Sequence, residues 1–403
     1  MEQKHKKHAA LQKPNTGRFG RTEWAFVGAP CSSIQQLALK IATAFKGSYK
    51  VAYLDADHAS NDQQPNQPTF NLEYTDKIKY HQLNTSKNWN NFDFKQMLDS
   101  EDLILVNGNH FPATKQVVII EPVKEASLKK RTAELTNVEL VLVKEGAQIY
   151  SWLTEILTLR GSNPRDPRGA APSGPSEGPT LQDANIPTLK LEDTESIISF
   201  FKNKLSKALA PIIGLVLAGG KSIRMKQDKG LIDYHGQPQR EYVFEMLSAL
   251  TDSSWYSFRK GQGESYNNMI YDTFEGLGPF GAILSAFRKN PNMAYLAVAC
   301  DYPNLDKAAL EFLISKRDPS KIATCFYNPE TDFPEPTICL WEPRAYARLL
   351  YFLSLGYACP RKVLINSDIN MISYRDEKIL NNVNTPEEYR AQLENMKVQN
   401  RKR

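Results

Sequence analysis

At 403 residues the chain is long for one hydrophobic core and suits two domains. Its 41% hydrophobic and 24% charged residues are ordinary for a globular protein in water. Its longest apolar runs, such as Leu103–Val106 and Val117–Ile120, are strand-sized, which excludes a membrane-spanning helix from this reading. The net charge of +5 belongs to the ends, with Lys4, Lys6, Lys7, Lys13, Arg18 and Arg21 against Glu2 at one and Lys397, Arg401, Lys402 and Arg403 at the other. The rest of the chain is net acidic, so a basic nucleic-acid-binding face is not expected and the tails read as solvated.

Cys31, Cys300, Cys325, Cys339 and Cys359 are odd in number and scattered without a CxxC pair. A disulfide framework or structural zinc is therefore not expected, and free thiols in a reducing cytoplasm are. The positive charges after Met1 lead into no apolar stretch, so a secretory signal is not expected either.

Residues 1–21 read as a mobile basic tail. A domain over 22–160 follows: a strand at Trp24–Gly28, a helix over Ile34–Phe45, and strands at Val51–Leu54, Leu103–Val106, Val117–Ile120 and Leu140–Val143, with helical stretches between. Strands alternating with helices predict a parallel sheet. Residues 161–188 form a Pro/Gly/Ser linker, GSNPRDPRGAAPSGPSEGP at its core. The second domain spans 189–395, before a basic tail at 396–403. Its lead-in, Leu189–Leu209, has helical spacing. Ile212–Leu217, Met269–Tyr271, Ala294–Ala299 and Ile322–Phe326 read as strands. Tyr242–Leu250, Ala282–Phe287, Lys307–Lys316, Ala345–Leu355 and Pro386–Asn395 read as helices, the last opened by Thr385 as cap and Pro386 at the first helical position.

The stretch LVLAGGKSIRMKQDKGL, Leu215–Leu231, carries the chemistry. A buried strand runs out at Leu217 into Ala218, Gly219 and Gly220, at the edge where open α/β sheets bind ligands. Two residues without Cβ let backbone N–H groups close on a polyphosphate, and Lys221, Arg224 and Lys229 bring positive charge. Attack on the α-phosphorus of a nucleoside triphosphate needs that charge on the phosphoryl oxygens and the departing pyrophosphate. Asp301, beyond the apolar run Leu296–Ala299, sits at another strand end, where a carboxylate can hold Mg²⁺ or cap a helix.

This stretch is similar to the LAGGxSxRMGxDKxL signature of the molybdenum cofactor guanylyltransferases (the MobA type), matched at Leu217, Ala218, Gly219, Gly220, Ser222, Arg224, Met225, Asp228, Lys229 and Leu231. Lys226 stands where the family has glycine. The resemblance runs from Ile212 to Leu393. It takes in Gly276–Gly281 with Asp272 before it, Ala299-Cys300-Asp301-Tyr302-Pro303, Pro334-Glu335-Pro336-Thr337 with Glu335 in place of His, and Asn382–Glu387. It implies a Rossmann-like, mostly parallel sheet and transfer of GMP from GTP to molybdopterin with release of pyrophosphate.

The implied catalytic residues are Arg224, Lys229 and Asp301, with Asp301 on Mg²⁺. The implied nucleotide contacts are Leu217, Ala218, Gly219, Gly220, Lys229, Ser257, Asp272 and Asp301, Ser257 standing where the family often has Asn. Gly278, Gly281 and Asn384 would face the pterin. Molybdoenzymes or other cofactor-synthesis proteins are implied partners. Alternatives are transfer of CMP or another nucleotide to molybdopterin or another phosphorylated acceptor, and a non-catalytic cofactor-binding module. An RNA-associated protein led by its basic tails is a further one.

In the N-terminal half Gly28-Ala29-Pro30-Cys31-Ser32-Ser33-Ile34-Gln35 stands between a strand and a helix, as a P-loop would. Aligned on GxxxxGK[ST], the second glycine, the lysine and the hydroxyl are replaced by Ser33, Ile34 and Gln35, so tight triphosphate binding is not expected. The half resembles the P-loop partner of these enzymes (the MobB type) in degenerate form, with Asp55 and Asp57 at a strand end and Asn107–His110 at another. His58 and His110 have no third ligand at a clear spacing and read as structural or surface residues.

Overall fold

The computed structural model describes residues 11–56, 70–161, 181, 185–220, 228–262 and 266–400, with the side chains of 160, 161 and 397–400 left aside. Two compact units emerge, Thr16–Ala208 and one built on Leu209–Arg403. Most of the 161–188 segment and the extremes of both tails lie outside the described residues.

The first unit contains β1 (Glu23–Val27), α1 (Cys31–Phe45), β2 (Val51–Leu54), β3 (Leu72–Asp76), β4 (His81–Thr85), α2 (Asn91–Met97) and β5 (Leu103–Asn107). It continues with β6 (Lys115–Ile120), α3 (Glu125–Lys130), β7 (Val138–Val143), α4 (Ser151–Gly161), β8 (Thr188–Lys190) and α5 (Thr194–Lys207). Six strands form one sheet in the order β2-β5-β1-β6-β7-β8, parallel at every pairing. β1 and β5 are buried along their whole lengths, which is why they read as continuous apolar runs rather than alternating ones. The β3–β4 hairpin stands apart as a two-stranded antiparallel sheet.

Two boundaries shift. The segment 188–207 belongs to the first unit, not to the second domain where the sequence reading begins at 189. β8 pairs with β7, and α5, capped by Asp193, buries Ile197, Phe201 and Leu205 in the core that holds Trp24 and Ile34. The i, i+4, i+8 spacing of those three residues gives one buried helix face, and at about 1.5–3 kcal/mol per large apolar side chain that face fixes the docking. Periodicity gives the face of a helix but not the sheet it covers. The basic tail is also shorter than 1–21. The Arg18, Phe19 and Gly20 amides donate to the buried Glu23 carboxylate, and Phe19 is edge-on to Phe94 and Phe111.

The second unit contains β9 (Ile212–Leu217), α6 (Gln239–Ser248), β10 (Ser253–Phe258), β11 (Met269–Tyr271), α7 (Pro279–Lys289), β12 (Ala294–Ala299) and α8 (Lys307–Ser315). After these come β13 (Ala323–Asn328), β14 (Phe333–Trp341), α9 (Ala345–Ser354), α10 (Pro360–Ile365), β15 (Asn370–Ile372) and α11 (Pro386–Asn400). Its seven-stranded sheet runs β11-β10-β9-β12-β14-β13-β15, with β14 antiparallel to both neighbours and the other pairs parallel. Two apolar layers cover the faces, one around α6 and α8, the other around α7, α9 and α10. No described helix is long and apolar enough to cross a membrane.

Candidate active site

Sheet register builds the site. β10, β9 and β12 are neighbours, and Leu217 is paired with Ser257 on one side and Ala299 on the other. The chain segments beyond those residues therefore leave the sheet side by side, which brings Gly219 next to the β10 terminus and Asp301 to the same edge. A cavity of about 640 Å³ opens there, lined by Leu217, Ala218, Gly219, Gly220, Asp228, Lys229, Arg259, Asp272, Gly278, Asp301 and Asn384, among others. Arg224 lies outside the described residues.

Lys229 is aimed by its own turn. Asp228 caps a short 3-10 turn by accepting from the Gly230 amide at 3.0 Å, and its other oxygen is ion-paired with the buried Arg240. A Cβ at position 230 would lie 2.6 Å from Arg240 Nε, so glycine leaves room for that guanidinium. Lys229 Nζ then donates to Asn384 Oδ1 at 2.6 Å and pairs with Asp301 Oδ2 at 3.5 Å. Asn384 reaches it because Val383 donates to the Asp301 carbonyl at 2.8 Å and because Glu388 and Thr385 cap α11 reciprocally.

Asp301 carries a buried Oδ1 with no hydrogen-bond donor. Burial pushes its carboxyl above the usual range; Lys229 opposes that rise and Glu335 adds to it. Asp272 is also raised, by burial first, although Ser257 donates to it at 2.6 Å and Arg259 lies nearby. Burial pushes the neighbouring Cys300 thiol up to about 12, so it is no nucleophile.

Three carboxylates line the cavity. Asp228 is consumed by Arg240 and an amide, leaving Asp301 and Asp272. Among the described residues no group of three or more His, Cys, Asp or Glu could hold a metal alone. A carboxylate with an unfilled oxygen, on the wall of a cavity large enough for a nucleotide, suits a Mg²⁺-like ion that takes its remaining ligands from phosphate and water.

Two expectations are corrected. Ser257 is buried outside the cavity lining, with its hydroxyl spent on Asp272, so it orients that carboxylate rather than meeting a base edge. Gly281 is buried within α7, also outside the lining, and a Cβ there would collide with the Phe274 carbonyl oxygen. Its role is to let α7 pack against the 272–278 loop. Gly278 does line the cavity, at φ +58° before α7, in a conformation that favours glycine.

Arg259 was not anticipated. It follows β10, donates from Nε to the Gly219 carbonyl at 2.6 Å and from Nη2 to that of Gly220 at 3.3 Å, and lines the cavity. In sequence it is one more cation near a strand end; only the β9–β10 register puts it over the diglycine turn. Arg240, some distance along the chain from Asp228, carries no sequence signal either.

A mostly parallel sheet with a diglycine turn, an aimed lysine and a strand-end aspartate around one cavity defines a nucleotidyltransferase-type domain. Residues 214–368, within the C-terminal half of the chain, match the family of MobA-like NTP transferase domains. A molybdenum cofactor biosynthesis bifunctional protein of Synechocystis is 33% identical over 190 residues, covering 46% of this chain and 55% of that protein. The match thus spans about half that relative's length. A molybdenum cofactor guanylyltransferase of Vibrio cholerae is 29% identical over 183 residues, covering 43% of this chain and 87% of its own. Among solved structures, molybdopterin-guanine dinucleotide biosynthesis protein A from Archaeoglobus fulgidus aligns at 19% identity over 45% of this chain and 97% of its own, with a TM-score of 0.40. A MobB protein homolog from Bacillus stearothermophilus aligns at 19% identity over 46% of this chain and 98% of its own, with a TM-score of 0.29.

Proposed function

We propose that the C-terminal unit transfers GMP from GTP to the phosphate of molybdopterin, releasing pyrophosphate and forming the guanine dinucleotide form of the molybdenum cofactor. The observation that carries this reading is the convergence of Gly219, Gly220, Lys229, Asp301 and Asn384 on one cavity, together with the family match over residues 214–368. The guanylyltransferase names of the relatives favour GTP and molybdopterin over other pairs.

The acceptor phosphate is already anionic at neutral pH, so the site has no need of a strong base. Its work is positioning and charge neutralisation. The Gly219 and Gly220 carbonyls are engaged by Arg259, which holds the turn in one conformation over the triphosphate position. Lys229 meets phosphoryl charge, and Arg224 is proposed to add to it. Asp301 would hold Mg²⁺, with Asp272 a second carboxylate on the cavity wall, and the metal would supply Lewis-acid polarisation of the α-phosphate when bound. Gly278 and Asn384 line the side of the cavity proposed for the pterin.

The test is incubation of the full chain with molybdopterin, Mg²⁺ and each nucleoside triphosphate in turn, with mass detection of the dinucleotide and measurement of pyrophosphate. Product with GTP alone supports the reading. Product with CTP in preference moves the assignment to cytidylyl transfer, and product with none overturns it.

A further inference from the structure

The first unit contains a cluster that its eroded P-loop does not explain. In P-loop register Ile34 holds the lysine position, and it is fully buried in the core. The loop nevertheless keeps its shape: Gly28 has φ +91°, and a Cβ there would run into the Ile119 carbonyl oxygen. α1 begins at Cys31, after the short turn Gly28-Ala29-Pro30 that follows β1.

The β2, β5 and β1 strands are adjacent and parallel. Asp55 follows β2, His110 lies just past β5, and Cys31 follows β1, so sheet order gathers all three at one edge. Cys31 Sγ lies 3.3 Å from His110 Nε2, and that nitrogen lies 3.5 Å from Asp55 Oδ1. Asn109 fixes the polarity around the sulfur. Its Nδ2 is 3.0 Å from the Ala29 carbonyl, which can only accept, so the same amide nitrogen donates toward Sγ at 3.5 Å. Asp55 is held by Tyr53 Oη at 2.7 Å and by Asn107 Nδ2 at 2.8 Å. Burial pushes its carboxyl up, but those donors, the Ala56 amide and His110 outweigh that and hold it below the usual range. An ionised carboxylate therefore stands beside the imidazole.

We propose that Cys31 is a nucleophilic thiol served by His110, with the Asp55 carboxylate stabilising the charge that forms on the imidazole, and that its substrate is a disulfide-bonded sulfur compound. The carboxyl edge where β1 lies between β5 and β6 is where open parallel sheets take ligands, and the cluster sits at that edge. A thiol at the first residue of a helix, next to histidine, occupies the environment in which cysteines react. Disulfide exchange is chosen over acyl transfer because it needs no group to hold an oxyanion, and the Asn109 amide that donates toward Sγ is already shared with Ala29.

In the step, the Sγ proton passes to His110 Nε2 while the sulfur attacks one sulfur of the disulfide. The old S–S bond breaks, and the departing thiolate takes the proton back from Nε2. Cys31–SH and R–S–S–R′ become Cys31–S–S–R and R′–SH, with no other oxidant or reductant required.

Cys359, in the second unit, is an exposed thiol, and Cys300, Cys325 and Cys339 are buried, so the chain carries its own controls. The full chain is treated with dithiodipyridine near neutral pH, with rates followed by thiopyridone release and sites mapped by mass spectrometry. The half-buried Cys31 reacts roughly tenfold or more faster than the exposed Cys359. His110→Gln and, separately, Asp55→Asn bring Cys31 down to the Cys359 rate or below and leave Cys359 unchanged. A wild-type Cys31 that reacts no faster than Cys359 overturns the proposal, as does a His110→Gln chain, with Cys300, Cys325 and Cys339 still protected, in which Cys31 keeps its rate. Should His110→Gln expose the buried cysteines, Asp55→Asn and the wild-type ratio decide. Pyrophosphate release by the C-terminal unit is not part of this readout, so the proposal stands or falls apart from the nucleotidyl-transfer reading.

Discussion

Replacing Gly281 with alanine separates a packing role from a substrate contact. The new Cβ would press on the Phe274 carbonyl oxygen and meet Leu277 Cβ at 3.2 Å. The loop cannot yield without cost, because Ser285 Oγ accepts from the Thr273 and Phe274 amides at 2.8 and 3.3 Å while donating to the Gly281 carbonyl at 2.6 Å. Overpacking of this kind costs about 1–3 kcal/mol. Weakening two of those hydrogen bonds adds about 1–2 kcal/mol. Better helix propensity returns at most about 1 kcal/mol. The net is a loss of about 1–4 kcal/mol, centred on about 2.5 kcal/mol, or about 5–10 °C at that centre in the melting transition of a unit of this size. The 272–278 loop carries Asp272 and Gly278, so KM for the nucleotide rises as well. Denaturant unfolding and steady-state kinetics on Gly281→Ala check both. Wild-type stability with a raised KM for the acceptor alone would refute the packing account and restore a pterin contact.

Asp301→Asn lowers turnover by about 10²–10³-fold, the scale of losing one charge-stabilising group. The same change moves stability little, since losing a carboxylate with an unpartnered buried oxygen offsets losing the Lys229 pair; wild-type-like turnover contradicts the site. Arg259→Gln raises KM for the nucleotide several-fold with little change in unfolding midpoint, because it releases the Gly219 and Gly220 carbonyls at a half-exposed position; an unchanged KM removes Arg259 from the account. His235 stacks on Tyr242 at 3.8 Å and its Nε2 lies 3.0 Å from the Pro303 carbonyl; burial lowers its pKa below the ordinary 6.5 against the opposing pull of that carbonyl and Asp233. The folded state thus resists protonation, so this contribution to stability is complete above 6.5 and is lost as pH falls through the lower folded value. His235→Phe flattens that slope between about pH 7.5 and 5.5 in denaturant titrations, and an identical slope in both proteins refutes the assignment.

What the sequence disclosed of the site followed from strand ends. Gly219, Asp301 and Asn384 sit where an apolar run or a capped helix start announces itself, and there local pattern and position coincide. Arg240 and Arg259 were invisible because their partners, Asp228 and the diglycine turn, are set by sheet register and turn packing rather than by spacing. The same holds for Cys31, Asp55 and His110, three strand-end residues that only the β2-β5-β1 order assembles, and which spacing alone reads as unrelated.

In the fold, β14 was missed because Pro334 and Pro336 interrupt it. Both lie where β14 has left β12, whose pairing covers only Ile338–Trp341, so they remove no ladder bond there. Helix α5 was recognised as a helix but given to the wrong unit, since an amphipathic face does not name its partner.

The most direct test of the central claim is an experimental structure of the full chain with a non-hydrolysable GTP analogue and Mg²⁺. The account requires the triphosphate to lie along Gly219 and Gly220, with Lys229 on its phosphates and the metal against Asp301. A nucleotide bound anywhere else, with Asp301 still turned only toward Lys229, would contradict it.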